Sequence, residues 1–252
     1  MALIWREVVG RYRGSMLGLF WSLFNPALML VVYSFVFSVI FKQRWSQSLG
    51  ESKAEFALIL FAGLLVFNFF AECVNKAPSL VVSQANYVKK VVFPLEILPW
   101  VSVGSALFHM VVSLLVWGVF YIVFSRGMPP WTSLLFPLVF IPVLNLVMGL
   151  SWFLAALGVY VRDIAQVVSL LVTVLMFLSP IFYPATAIPE EYRGFLQWNP
   201  LVPSIEQSRL VLIGGVCPDW VQLSTQWLIS MILAWSGFAW FQKTRKGFAD
   251  VI

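Results

Sequence analysis

The sequence predicts an all-α integral membrane protein: six spanning helices, an amphipathic helix before the first, and short helices in two of the connections. Three observations lead there. Of 252 residues, 61% are hydrophobic, against about 45–50% apolar in soluble domains. Only 11% are charged, where roughly 25% is usual, and one soluble core cannot hide that much apolar surface. The charges also cluster, leaving uncharged runs long enough for helices of about 20 residues to cross a hydrocarbon layer. The composition excludes a disordered chain, a fibrous repeat and a charge-driven nucleic-acid binder. A spanning backbone must satisfy its own hydrogen bonds, and the apolar/polar alternation of barrel strands is absent, so helices are expected.

Residues 1–13 come first. At 100° per residue, Ile4, Trp5, Val8, Val9 and Tyr12 share an arc of about 140°. Arg6, Glu7, Arg11 and Arg13 occupy the other side, with Glu7 and Arg11 spaced i,i+4. This predicts a helix lying in the membrane interface, either a simple anchor or an element beside a partner, with Trp5, Arg6, Arg11 and Arg13 as its interfacial residues.

Uncharged runs then place six spans near residues 19–41, 56–77, 98–124, 132–159, 165–183 and 220–242. Gly14 and Gly18 form a Gly-x-x-x-Gly step before the first span, which predicts close backbone packing there. The second run ends at Ala71, so a helix of spanning length takes Glu72 into its last turn, where Glu72 and Lys76 are expected to pair at i,i+4. The first apolar run is longer than the 7–15 residues of a cleavable signal peptide, and none is expected.

Orientation follows from the basic residues. With the N-terminus cytoplasmic, the inner segments hold Arg6, Arg11, Arg13, Lys76, Lys89, Lys90, Arg162, Lys243, Arg245 and Lys246. The outer segments hold Lys42, Arg44, Lys53, Arg126, Arg193 and Arg209. Ten against six favours both termini inside. Cys73 and Cys217 then lie on opposite sides, and no disulfide joins them.

Two connections carry structure of their own. Between spans two and three, Ser83–Pro94 is long enough for two or three helical turns, with Tyr87, Val88, Val91 and Val92 as an apolar edge and Lys89 and Lys90 facing away. Exposed apolar residues there suggest a docking surface, or a loop resting on lipid headgroups. After span five, Gly194–Ile205 and Leu210–Pro218 are nearly apolar but too short to span. Pro203-Ser204 reads as a helix start and Gly214-Gly215 as its stop. These stretches are expected to dip back into the membrane with protein or water covering their ends.

Chemistry within the chain is sparse. One histidine excludes a His-x-x-x-His metal pair, and two distant cysteines exclude a Cys-x-x-Cys site, so no metal site is expected. His109 has Ser105 at i−4, but no Gly-x-Ser-x-Gly elbow is present and span three has no acid. Packing or an interhelical hydrogen bond is the expected role of His109, and no residue is read as catalytic. No glycine is followed by Lys, so there is no phosphate-binding P-loop. Arg162-Asp163 is the whole charged part of a tight turn, where Asp163 can cap span five.

Six stretches resemble the permease subunit of type-2 ABC exporters, in the branch that moves O-antigen, capsule and teichoic-acid polymers. They are Arg11-Tyr12-Arg13-Gly14-Ser15-Met16-Leu17-Gly18, the run from Phe61 to Phe70, Lys89-Lys90-Val91-Val92-Phe93-Pro94-Leu95-Glu96, Arg162-Asp163-Ile164, the run from Leu178 to Pro184, and Asn199-Pro200. They occur in the family's order along nearly the whole chain.

The resemblance implies a homodimer of permeases in a bacterial cytoplasmic membrane, exporting a lipid-linked glycan with two ABC ATPase subunits below. It makes the Ser83–Pro94 segment a coupling helix, and the short helices after span five external gate helices. Tyr87, Lys89, Lys90 and Phe93 are then expected at the ATPase contact, with Arg162 and Asp163 nearby. No cofactor is expected in this chain; ATP and Mg belong to the partner. Aromatic residues make up 17% of the sequence, and sugar C–H faces can slide over such rings. With spans one and five lining the path, as the resemblance implies, Phe20, Trp21, Phe24, Tyr33, Phe37, Phe177, Phe182 and Tyr183 are the expected glycan-channel residues. The alternatives are an exporter of a drug or small lipid on the same fold, and an intramembrane hydrolase acting without ATP.

Overall fold

The structure, a computed structural model, describes residues 1–36, 53–84, 93–125, 127–184, 187–191, 194 and 199–251. The described residues form helices and connecting turns, without strands. In chain order these are α1 (Ala2–Arg11), α2 (Phe20–Phe35), α3 (Lys53–Lys76), α4 (Ile97–Ser125), α5 (Phe136–Tyr160), α6 (Ile164–Leu178), α7 (Leu201–Arg209), α8 (Trp220–Thr244) and α9 (Phe248–Val251). Short 3-10 turns extend α3 through Ser79 and precede α5 from Trp131.

Three helical stretches, Glu55–Ser79, Ile97–Ser125 and Trp131–Tyr160, are long and apolar enough to cross a membrane. Phe20–Phe35 and Ile164–Leu178 are apolar but shorter. The end of the expected first span, including Phe37, lies outside the described residues, as do Tyr87, Lys89 and Lys90 of the expected coupling helix.

Helix α3 is the axis of the bundle. It packs against α2, α4, α5, α6 and α7, and from Phe56 to Phe70 every side chain but Asn68 is buried. A helix apolar all round belongs inside such a bundle. Helices α5 and α8 form the most extensive pair, because glycines let their backbones meet. A Cβ on Gly237 would lie 2.1 Å from the Gly149 carbonyl oxygen, and one on Gly149 would lie 2.5 Å from that of Leu233. This is the small-residue crossing that replaces hydrophobic driving force between helices in lipid. The same device seats α5 on the turn after α3, where a Cβ on Gly158 would fall 2.0 Å from the Pro78 oxygen.

The Gly14–Gly18 step has a different use from the expected close packing. A Cβ on either residue would have no neighbour within 4 Å, and both are left-handed, at φ +88° and +51°. The glycines make the turns that join α1 to α2, since that region disfavours residues with a Cβ.

Helix α1 lies against α4 along Ile4, Val8 and Tyr12. Ile4 fits over Gly104, where a Cβ would come within 2.6 Å of it; Val8 is buried, and Trp5 meets Phe108 edge-on.

At the opposite end, α7 begins at Leu201 rather than at Pro203-Ser204. Asn199 starts it, its side-chain oxygen accepting from the Leu201 amide at 3.0 Å while its amide donates to Ser179 Oγ at 2.9 Å. The Glu206–Arg209 charges do not divide two stretches: α7 runs into a π-helical turn, Leu210–Gly214, closed by Gly215 at φ +65°. The Gly214-Gly215 stop is therefore where the sequence put it.

Candidate functional site

Charged side chains collect at one end of the bundle. Tyr160 donates to the Thr244 carbonyl at 2.8 Å, and Arg245 to Glu96 at 2.9 Å. These contacts place the ends of α5 and α8 beside the start of α4. At this same end, α1 docks on α3 and α4 through ion pairs.

These pairs differ from the local ones expected. Glu7 pairs with Lys76, and Arg11 with Glu72, rather than Glu7 with Arg11 and Glu72 with Lys76. Each partner is better placed across the helix contact than one turn along its own helix. His109 joins the cluster: Nδ1 lies 3.2 Å from Glu72 Oε1 and 3.1 Å from Arg11 Nη1, and Nε2 lies 3.2 Å from the Tyr12 hydroxyl. The interhelical role expected of His109 is thus observed. Burial raises the pKa of the Tyr12 phenol, which keeps its proton available for that contact.

Two cavities share Arg11 and Glu72. One, of about 200 Å3, extends from the cluster between α2, α3 and α4. The other, of about 710 Å3, is lined by Glu7, Gly10, Asn75, Lys76 and Ser105 towards the end of the bundle. The Arg11–Glu72 pair stands between them.

The expected interfacial residues divide. Arg11 is in this cluster, Trp5 packs on α4 with 56% of its surface exposed, and Arg6 and Arg13 are exposed. Phe93, Arg162 and Asp163 are described; Arg162 and Asp163 form an exposed turn. Asp163 occupies the position before α6 without a side-chain capping bond, contrary to the cap expected there.

Of the aromatic residues expected along a channel, Phe20, Trp21, Phe24 and Tyr33 lie on α2, Phe177 on α6, and Phe182 and Tyr183 follow α6; both helices pack against α3. On α2, Phe20 and Phe24 are exposed and Trp21 meets Phe24 edge-on at 5.5 Å, with Tyr33 half-buried further along. Near the end of α6, Phe177 is 61% exposed and its ring centroid lies 6.4 Å from that of Phe182. Tyr183 donates to the Phe177 carbonyl at 2.8 Å. Cys73 is buried, Cys217 exposed, and both are free.

Sequence reasoning missed Arg209. Counted as an outer surface charge, it is 8% exposed. Its guanidinium donates to the carbonyls of Ile59 at 3.1 Å, Pro180 at 2.5 Å and Ile181 at 2.8 Å. It thereby ties α7, the turn after α6, and α3 together. A rigid fork of five donors is the side chain suited to several carbonyls at once. The one readable signal is its placement between two apolar stretches.

An apolar helical bundle with most of its basic residues at one end defines a membrane-embedded protein. Comparison with known proteins is specific. Residues 1–213 match the ABC-2 type transporter family. The chain is 31% identical to the O-antigen export system permease protein RfbA of Myxococcus xanthus, covering 100% of this chain and 94% of that protein. It is 28% identical to a protein of the same name from Klebsiella pneumoniae, covering 98% and 92%. It is also 24% identical to the polysialic acid transport protein KpsM of Escherichia coli, covering 97% and 92%. The chain belongs to the ABC-2 type transporter family. It is a transporter membrane subunit and not an enzyme.

Proposed function

We propose that this chain is the permease of an ATP-driven exporter that moves a lipid-linked polysaccharide, an O-antigen, capsule or similar glycan, across a bacterial cytoplasmic membrane. The observation that carries the reading is end-to-end similarity to permeases named for O-antigen export. The geometry supports it with exposed rings on α2 and α6 and with basic residues gathered at one end of the bundle. Six spans are built on α2, α3, α4, α5, α6 and α8, and the charged end is cytoplasmic, as are both termini. Two copies form the working unit. Two ABC ATPase subunits bind ATP and Mg and meet the coupling segment Ser83–Pro94, with Tyr87, Lys89, Lys90 and Phe93 at the contact and Arg162-Asp163 beside it. Helix α7 and the turn after it act as the external gate. Phe20, Trp21, Phe24, Tyr33, Phe37, Phe177, Phe182 and Tyr183 carry the glycan, because stacked sugar faces slide along aromatic rings without strong stops.

The test is export in cells from which the native gene has been removed. Wild-type chain with its ATPase should restore surface polymer. Tyr33→Ala with Phe177→Ala should reduce surface polymer several-fold while the ATPase still co-purifies. Unchanged polymer in that variant refutes the aromatic route, and full surface polymer without the chain refutes the function.

A further inference from the structure

We propose that the cavity between α1, α2, α3 and α4 is a recognition site for one uncharged, hydroxyl-rich unit, a single sugar residue of the exported chain. Its identification as a sugar rests on the export reading above. The polar character of the site stands on the structure alone.

Asn68 is the one exposed side chain in the buried run from Phe56 to Phe70. It lies eight residues before Lys76, about 12 Å along the helix at ~1.5 Å per residue, near the middle of a hydrocarbon layer about 30 Å thick. Asn25 of α2 and Ser113 of α4 line the same cavity. Among the described residues, none hydrogen-bonds to the side chain of Asn25, Asn68 or Ser113. Both amides reach accessible surface along the cavity, and polar residues within a membrane-spanning bundle mark substrate paths.

The polar lining is continuous with the charged cluster. On α4, Ser105, His109 and Ser113 recur every four residues; on α3, Asn68, Glu72 and Asn75 recur at i, i+4 and i+7. Both series share one helix face. The two faces meet where Glu72 contacts His109, and the larger cavity beyond Arg11–Glu72 leads to the end of the bundle.

Charge selects the ligand class. Each cation facing the cavities already has a carboxylate: Arg11 has Glu72, and Lys76 has Glu7. A phosphate group would have to compete with both acids, whereas hydroxyls can donate to a carboxylate, accept from a guanidinium and do both with amides. Phe61, Phe69 and Met29 supply apolar wall for the C–H face of a ring. A volume of about 200 Å3 suits a single sugar unit rather than a drug-sized molecule.

The test uses the intact permease–ATPase complex in lipid nanodiscs and saturation-transfer difference NMR. The probes are methyl glycosides of galactose, rhamnose and N-acetylglucosamine, with glucose 6-phosphate as the anionic comparison. Saturation transfer to at least one neutral glycoside is expected, weakened at least fivefold by Asn68→Leu and by Asn25→Leu. Ile232→Ala, on the exposed surface of α8, should not weaken it, and Asn68→Gln should keep part of it. If the leucine variants do not assemble, Asn68→Ala and Ser113→Ala are read against the same threshold. No transfer to any neutral probe, equal transfer in the Asn variants, or preference for the phosphorylated sugar overturns the site. Export fails separately: polymer still reaching the surface with no sugar bound in the cavity overturns this inference alone, while loss of the chain without loss of surface polymer overturns the export reading.

Discussion

Replacing Arg209 by methionine isolates what its guanidinium does at the outer end of the bundle. Methionine keeps much of the apolar stem and removes all five donors. The carbonyls of Pro180 and Ile181 then lose this donor, and that of Ile59 keeps only its bond within α3. A buried group left unpaired costs about 1–3 kcal/mol, so two cost about 2–6 kcal/mol before any relief. Methionine has no cation to desolvate, which offsets part of that and leaves a net loss of about 3 kcal/mol. At about 2–4 °C per kcal/mol for a chain of this size, a loss of about 3 kcal/mol lowers the melting temperature by roughly 6–12 °C. Heating the purified complex and measuring the surviving monodisperse fraction by size exclusion reads this directly. Gly63 provides an internal check, because a Cβ there would sit 2.6 Å from Arg209 Nη2. Gly63→Ala should therefore be destabilising in the wild-type background and much less so beside Arg209→Met, a coupling of about 0.5–3 kcal/mol. A fall of less than about 2 °C for Arg209→Met, or additive effects of the two substitutions, would refute the clamp.

Three further perturbations follow from the packing. Gly237→Ala puts a methyl against the Gly149 carbonyl at 2.1 Å, so it should cost about 1–3 kcal/mol by overpacking and lower the melting temperature, whereas Leu228→Ala on the exposed face of α8 should not. Lys76→Glu should loosen α1 and raise protease cleavage in residues 12–19, and adding Glu7→Lys should restore protection; equal cleavage in the single and double variants would show that the pair does not hold α1. Tyr87→Ala with Phe93→Ala should leave a folded bundle that poorly retains its ATPase, since aromatic anchors concentrate interface energy at about 2 kcal/mol or more each; normal co-purification and export would put the coupling surface elsewhere.

The helices were legible because lipid writes a one-dimensional signal: where charge stops, a span begins. Helices α3, α4 and α5 follow the uncharged runs to within a few residues, and the Gly215 stop follows from a backbone conformation that glycine favours. The errors share one cause. Arg209, Gly14 and Gly18, and the pairing of Glu72 were each read from neighbours in sequence, whereas their partners come from another helix or, for the glycines, from none. Arg209 donates to a residue 150 positions away, a relation no local window contains. Gly14 and Gly18 matched a packing motif in spacing alone, and only the left-handed φ at each reveals a turn. Asn68 was visible as a polar residue inside an apolar run. That it faces a cavity with Asn25 and Ser113 follows from the rotation of three helices, which hydrophobicity leaves undetermined in a bundle buried on most sides.

The ion pairs were nonetheless readable in one respect. Both α1 and α3 carry an acid followed four residues later by a base: Glu7 then Arg11, Glu72 then Lys76. Two such helices can pair across their contact if they run antiparallel, the acid of each meeting the base of the other. The observed contacts obey that rule, Glu7 with Lys76 and Arg11 with Glu72. Each partner is between 28% and 53% exposed, so each pair contributes only about 0.2–1 kcal/mol. Burial of Val8 adds about 1.5–3 kcal/mol. Helix α1 is therefore held by a few kcal/mol, while α5 and α8 are locked by glycine contacts along their length. Ile4 over Gly104, Trp5 against Phe108 and Tyr12 on His109 add to that hold, so charge alone is the smaller part of how α1 is docked.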